Sequence, residues 1–168
     1  TLSSSSAASD VYKRQEIMRK IRYIEERQVM QQFLYEIGHD TGMATYGEEE
    51  VRKNLGAGAV RTLLLSEGLD ITRVKVKCNA CGHEEQQTMK NQMLTSFEQS
   101  LSGKPCPKCK APALCIAETQ DLIENFAQLA EYANTEVEII STETEEGQML
   151  KNSFGGIAAI LRFKLQNQ

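Results

Sequence analysis

The sequence predicts an α/β protein: a three-layer sandwich with a mixed central sheet, interrupted by an inserted minidomain. Three observations lead there. Segments with helical spacing of apolar residues alternate with short apolar runs of strand length, the pattern of helices laid on both faces of a sheet. Two C-x-x-C hooks, Cys78/Cys81 and Cys106/Cys109, sit together between two of those segments. The length of 168 residues, 40% hydrophobic and 25% charged, suits one compact domain with an attachment rather than two full domains.

The first fifteen residues, TLSSSSAASDVYKRQ, stand apart. They are Ser/Ala-rich, lack apolar periodicity and lack the apolar stretch of a signal peptide. They resemble leaders derived from sequencing-library adaptors, so 1–15 is expected to be a non-native or disordered leader, with a different native chain upstream of Glu16. From Glu16 the pattern turns helical, with Ile17, Ile21 and Ile24 followed by Met30, Phe33, Leu34 and Ile37 on one stripe. Gly38 and the HDTG turn stop that helix. A shorter helix follows Gly47, with Glu48, Glu49 and Glu50 at the positive end of its dipole and Val51 and Leu55 facing inward. AVRTLLLS (Ala59 to Ser66) then reads as a buried strand.

ALCIAE, after the cysteine segment, alternates like another strand. DLIENFAQLAEYAN follows as a helix, with Asp121 and Glu124 in capping-box spacing, an apolar stripe of Leu122, Ile123, Phe126, Leu129 and Ala130, and Asn134 as its C-terminal cap. EVEIIS is a strand, Thr142 and Glu145 open a short helix that ends at Gly155-Gly156, and IAAILRF is the last strand. The expected division is 16–73 with 118–168 for the main domain and 74–117 for the insert.

The four paired cysteines suit one structural Zn2+. The ion prefers four ligands in a tetrahedron, and each hook offers two thiolates from a single turn. Gly82 permits the positive φ of such a knuckle, and Pro107 stiffens the second. A ribbon of two hairpins accommodates the spacer between Cys81 and Cys106. A full thiolate shell leaves no position for substrate, so a catalytic metal is not expected. His83 beside the first knuckle reads as a surface or outer neighbour, and Cys115 as a buried strand residue.

Charge weighs against a strong nucleic-acid grip. The chain carries −4 overall. Residues 74–117 hold six lysines against three glutamates, and a zinc tetrathiolate contributes a net charge of about −2, which leaves about +1. No apolar run approaches the roughly 20 residues that span a bilayer. Paired C-x-x-C hooks without a secretory leader point to a reducing compartment, the cytoplasm. GAGAV (Gly56 to Val60) follows a helix and precedes a strand, the reverse of a dinucleotide fingerprint, and reads as a tight crossover. The clusters Glu48–Glu50 and Glu143–Glu146 lie at helix starts as caps. Without a nucleophile–base pair, an enzyme is not expected.

Two segments carry a resemblance. FLYEIGHDTGMATYGEEEVRKNLGAGAVRTLLLSEGLD and EEGQMLKNSFGGIAAILRF resemble the C-terminal domain of archaeal/eukaryotic class I peptide chain release factors, over essentially Glu16 to the end. The Tyr46-Gly47 start, the GAV…LLLS step and the SFGGIAAILRF ending match in order and spacing. Pelota, a ribosome-rescue relative, shares the start and the ending. The paired C-x-x-C insert resembles the zinc-bearing minidomain of archaeal release factors, which Pelota lacks. A zinc-ribbon binder of ribosomal RNA is the other class of function kept open.

The resemblance implies a protein that reads stop codons on the ribosome and triggers peptide release. The family's NIKS-type and GGQ motifs do not occur here, so a C-terminal fragment unable to release peptide by itself is expected. The implied partners are an elongation-type translational GTPase, an ABC-type ribosome-recycling ATPase and the ribosome, with no small-molecule substrate. The family's GILRY-like segment, implicated in GTPase binding, maps onto Ala159, Ile160, Leu161, Arg162 and Phe163. Here Ala159 replaces glycine, and Phe163 replaces tyrosine and lacks its hydroxyl.

Overall fold

The computed structural model describes residues 3–166. Its fold is mixed α/β with two sheets, and the chain divides into two compact units, 1–68 with 130–168 and 69–129. In chain order the first unit opens with α1 (Ser3–Gly38), β1 (Ala44–Tyr46), α2 (Glu48–Gly56) and β2 (Val60–Ser66). The second unit contains β3 (Thr72–Cys78), β4 (Glu84–Met89), a 3-10 turn (Asn91–Met93), α3 (Leu94–Leu101) and β5 (Leu114–Asp121). Helix α4 (Leu122–Tyr132) carries the chain back to β6 (Glu136–Ile140), α5 (Glu145–Ser153) and β7 (Ile157–Leu161).

The first sheet has the order β1-β7-β2-β6. Strand β2 runs parallel to β6 and antiparallel to β7, which pairs antiparallel with β1, so the sheet is mixed as expected. Strand β7 reads as an unbroken apolar run, and β2 does so from Leu63 to Leu65, because both faces are covered there. Alternation sends Leu64, Ala158 and Ile160 to one face, where they pack with Met30 and Phe33 of α1 and Leu150 of α5. Leu63, Leu65 and Ala159 are buried on the other, and α2 lies against β1, β2 and β7. Phe154 meets Phe33 and Tyr46 edge-on, with centroids 5.0 and 5.1 Å apart.

Several local expectations hold. Asp121 Oδ1 accepts from the N–H groups of Ile123 (2.9 Å) and Glu124 (3.2 Å), and Asn134 takes φ 51° beyond the end of α4. The GAGAV segment is a turn between α2 and β2. The cap of α5 is Thr144, which accepts from Gly147 N–H at 3.1 Å. Thr142, expected in that role, instead binds Glu67 through its N–H and hydroxyl.

Other elements differ. The helical pattern read from Glu16 belongs to a helix that already begins at Ser3, since the Ser/Ala stretch contains no Gly or Pro to stop it; residues 1 and 2 of the expected leader lie outside the described residues. The apolar stripe splits: Met30 and Phe33 are buried, whereas Ile17, Ile21 and Ile24 are exposed. Length explains this. The 36 residues of α1 rise about 54 Å, while strands of 5 to 7 residues reach about 23 Å at most. Glu26 anchors the helix where it does pack. It is 2% exposed, accepts from Arg22 Nε at 2.7 Å and from Ser141 N–H at 2.9 Å, and lies one residue from the Arg27–Glu146 ion pair.

The second unit is wider than the 74–117 read from sequence. Strand β3 begins at Thr72 and pairs across its length with β5, as far as Thr72↔Asp121. ALCIAE is a strand of the three-stranded antiparallel sheet β4-β3-β5 and runs on to Asp121, past the expected boundary at 117. The spacer between the hooks carries α3 as well as β4, so it is more than a pair of hairpins. Leu94, Phe97 and Leu101 have helical spacing, and they pack on Val74 and Val76 as a separate small core.

Candidate metal centre

Each hook is built by the same local device. Cys78 ends β3; its carbonyl accepts from Gly82 N–H at 2.9 Å, and its N–H donates to His83 O at 2.8 Å. Cys106 repeats this, its carbonyl accepting from Lys110 N–H at 2.9 Å and its N–H donating to Ala111 O at 2.9 Å. The residue four beyond the first cysteine takes a positive φ in both turns, 72° at Gly82 and 59° at Lys110. Glycine enters that region freely, while lysine does so at a cost the surrounding turn must offset. Asn79 N–H donates to Ala113 O at 2.9 Å and ties the first knuckle to the approach of β5.

These turns bring the four sulfurs within 4.8 Å of one another, a set that could hold a metal ion. Cys78 and Cys109 Sγ are 3.6 Å apart, Cys81 and Cys106 Sγ 3.8 Å. Ligands at about 2.3 Å on tetrahedral corners stand about 3.8 Å apart, so the geometry fits a four-thiolate shell. Cys78 and Cys106 are buried, Cys81 and Cys109 exposed. His83 and Cys115 are outside the cluster. Cys115 lies on β5 as expected but is only half-buried, its thiol toward Lys77 O and Asn79 Oδ1 at 3.5 and 3.6 Å.

Electrostatics favours anionic sulfur at the start of each hook. The Cys81 N–H, directed at Cys78, lowers that thiol to about 7 against the pull of desolvation. The Cys109 N–H likewise lowers the Cys106 thiol. For Cys109 the Ala111 N–H favours the thiolate, but desolvation and the neighbouring thiols outweigh it and push the group up to about 12. Four thiols this close resist successive ionisation, and a bound cation removes that resistance. Lys104, Lys108 and Lys110 stand exposed around the second hook, and Lys75 pairs with Glu84 at 2.9 Å beside the first.

The segment read as a partner site is divided. Ala159, Ile160 and Leu161 are buried in β7, so their side chains serve the core. Arg162 and Phe163 leave the sheet and are exposed. Arg162 donates its N–H to Ala59 O at 2.7 Å and an Nη2 hydrogen to Asn134 O at 2.5 Å, while the Phe163 ring is 48% exposed.

The class of structure is thus a mixed α/β domain with an excursion closed by four thiols. Residues 23–165 match the family model of eRF1 domain 3. The chain belongs to that family, the C-terminal domain of archaeal-type peptide chain release factor subunit 1, as the Tyr46-Gly47 start and the SFGGIAAILRF ending suggested. It is 49% identical over 156 residues to peptide chain release factor subunit 1 of Thermococcus sibiricus, covering 93% of this chain and 37% of that protein. The Methanobrevibacter smithii protein of the same name is 49% identical over 148 residues, covering 88% of this chain and 35% of that protein. The chain therefore spans little more than a third of the length of these relatives. The solved C-terminal domain of a peptide chain release factor from Methanosarcina mazei superposes with TM-score 0.77 at 34% identity, covering 95% of this chain and 94% of that one. Pelota of Archaeoglobus fulgidus aligns at TM-score 0.55 and 23% identity over 94% of this chain and 36% of that one, a likeness of fold.

Proposed function

We propose that this chain is the partner-docking C-terminal module of a cytoplasmic translation termination factor whose other parts direct stop-codon-dependent peptide release. The observation that carries the reading is 49% identity to a release factor over 93% of the chain. Its partners on this reading are an elongation-type translational GTPase, an ABC-type ribosome-recycling ATPase and the ribosome. The module docks and does not catalyse. Within the β7 ending, Arg162 and Phe163 make the GTPase contact, because Ala159, Ile160 and Leu161 are committed to the core. The cysteine cluster holds one structural zinc that closes a zinc-ribbon insert. Four thiolates at tetrahedral spacing support that choice of metal and shell.

Pull-down of the GTPase with the full chain tests the reading. Phe163→Ala is expected to weaken capture about tenfold or more, the loss typical of a central aromatic contact. Retention on ribosomal RNA in moderate salt without GTPase capture would instead favour a zinc-ribbon RNA binder and overturn it.

A further inference from the structure

Strand β4 is an edge: β3 lies on one side, and no strand lies on the other among the described residues. The Cys78 N–H donates to His83 O, which marks that rung of the β3–β4 ladder as hydrogen-bonded. Antiparallel rungs alternate, and the register runs unbroken from Lys77↔Glu84 to Thr72↔Met89. Glu85, Gln87 and Met89 therefore turn their backbone groups toward β3. Glu84, Gln86 and Thr88 turn theirs outward.

Helix α3 lies against β5, and so leaves the β4 side of its sheet face open. A groove of about 740 Å³ occupies that space, lined by Gln87, Met89, Lys90, Met93, Phe97 and Ser100 among others. Met93 is 56% exposed there. Exposed edges are ordinarily guarded by charge, proline, a bulge or a cover. On β4 the charges are confined to the knuckle end, where Glu84 meets Lys75 and Lys77 at 2.9 and 3.9 Å. From Gln86 to Met89 the edge is uncharged and unbulged, beside an apolar floor. Lys90 is the one charge lining the groove and has no ion-pair partner among the described residues.

We propose that the β4 edge and this groove bind an extended peptide by strand addition. The peptide presents apolar side chains at alternate positions and a carboxylate opposite Lys90. The outward backbone groups supply the ladder, the two-residue period brings alternate side chains onto Met89, Met93 and Phe97, and flexible methionines adapt to their shapes. Single-stranded RNA fits less well, since a nucleic-acid groove needs a run of cations. A second copy of β4 would offer mainly Glu and Gln to an apolar floor, with Met89 its one apolar side chain. The proposal goes beyond docking through the β7 ending and stands on the second unit alone.

Random linear peptides displayed on phage, selected against the full chain, supply the probe. An enriched synthetic peptide is then titrated into the chain and followed by amide NMR. Enrichment of alternating aliphatic residues with an acid, and shifts at Glu84, Gln86 and Thr88, are the expected results. Lys90→Glu should weaken the peptide at least tenfold. Gln86→Pro, a residue an edge strand accepts, removes an outward donor and should weaken it similarly. Lys90→Glu alone decides if the proline disturbs the strand. No enriched pattern, shifts elsewhere, indifference to Lys90→Glu, oligouridylate shifting the same amides, or a dimer in sedimentation burying β4 each overturn the proposal.

Discussion

Gly147 lies in the first turn of α5, and a Cβ built there would stand 1.7 Å from the Ser141 carbonyl oxygen. Carbon and oxygen settle no closer than about 3.3 Å, so Gly147→Ala must displace the turn or the helix by about 1.6 Å. Two interactions depend on that turn. Thr144 caps the helix through Gly147 N–H at 3.1 Å, and Ser141 N–H donates to the buried Glu26 carboxylate at 2.9 Å. Losing the cap costs about 1 kcal/mol, and losing a hydrogen bond to a charged acceptor about 2 kcal/mol. Helix propensity returns about 1 kcal/mol, so the net loss is about 2 kcal/mol. With a slope near 2 kcal/mol/M, the urea midpoint of the first unit should fall by about 1 M. Gly38→Ala is the control, because a Cβ there meets nothing within 4 Å. An unchanged or raised midpoint for Gly147→Ala would show that propensity, not the close approach, governs this position.

The four-cysteine cluster carries further predictions. Elemental analysis should find about one zinc per chain, and Cys106→Ser should abolish it and collapse the amide spectrum of the second unit while the first keeps its own, because each unit has a separate core. A single cooperative loss of both units would contradict this. Desolvation and then Glu25 raise the Glu138 carboxyl, so its folded form binds protons more readily than the unfolded chain and stability falls as pH rises. Glu138→Gln should raise the urea midpoint at neutral pH and lose that advantage below the ordinary carboxylate range. Glu67 has the opposite sign. Held low chiefly by Thr142 N–H, it adds stability above its ordinary value that disappears as pH falls through its lowered one, and Glu67→Gln should flatten that part of the acid profile.

Short-range features were legible because their causes lie within a few residues. The Asp121 cap, the αL Asn134 and the Gly82 turn each involve partners at most four residues apart. The four sulfurs could be named because two hooks of fixed spacing have few other uses. The second knuckle's Lys110 was not legible, since lysine at positive φ follows from the closed turn and not from its own preference. Nor was the β4 groove: EEQQTM has no apolar alternation, and its meaning comes from where α3 leaves the sheet uncovered. The Leu94, Phe97 and Leu101 spacing did carry the signal for that helix.

The sequence by itself determined the helices and buried strands of the first unit, the cysteine set, and the family through its Tyr46-Gly47 and SFGGIAAILRF segments. Only the tertiary structure decided that ALCIAE pairs with β3 and continues to Asp121, that Ile17, Ile21 and Ile24 stay exposed, and that Arg162 and Phe163 are the solvent-facing part of the β7 ending. Side-chain period tells a strand which face it buries. Its neighbour is chosen by hydrogen-bond register and packing between residues far apart in the chain, as Thr72↔Asp121 is, and no local pattern encodes that distance.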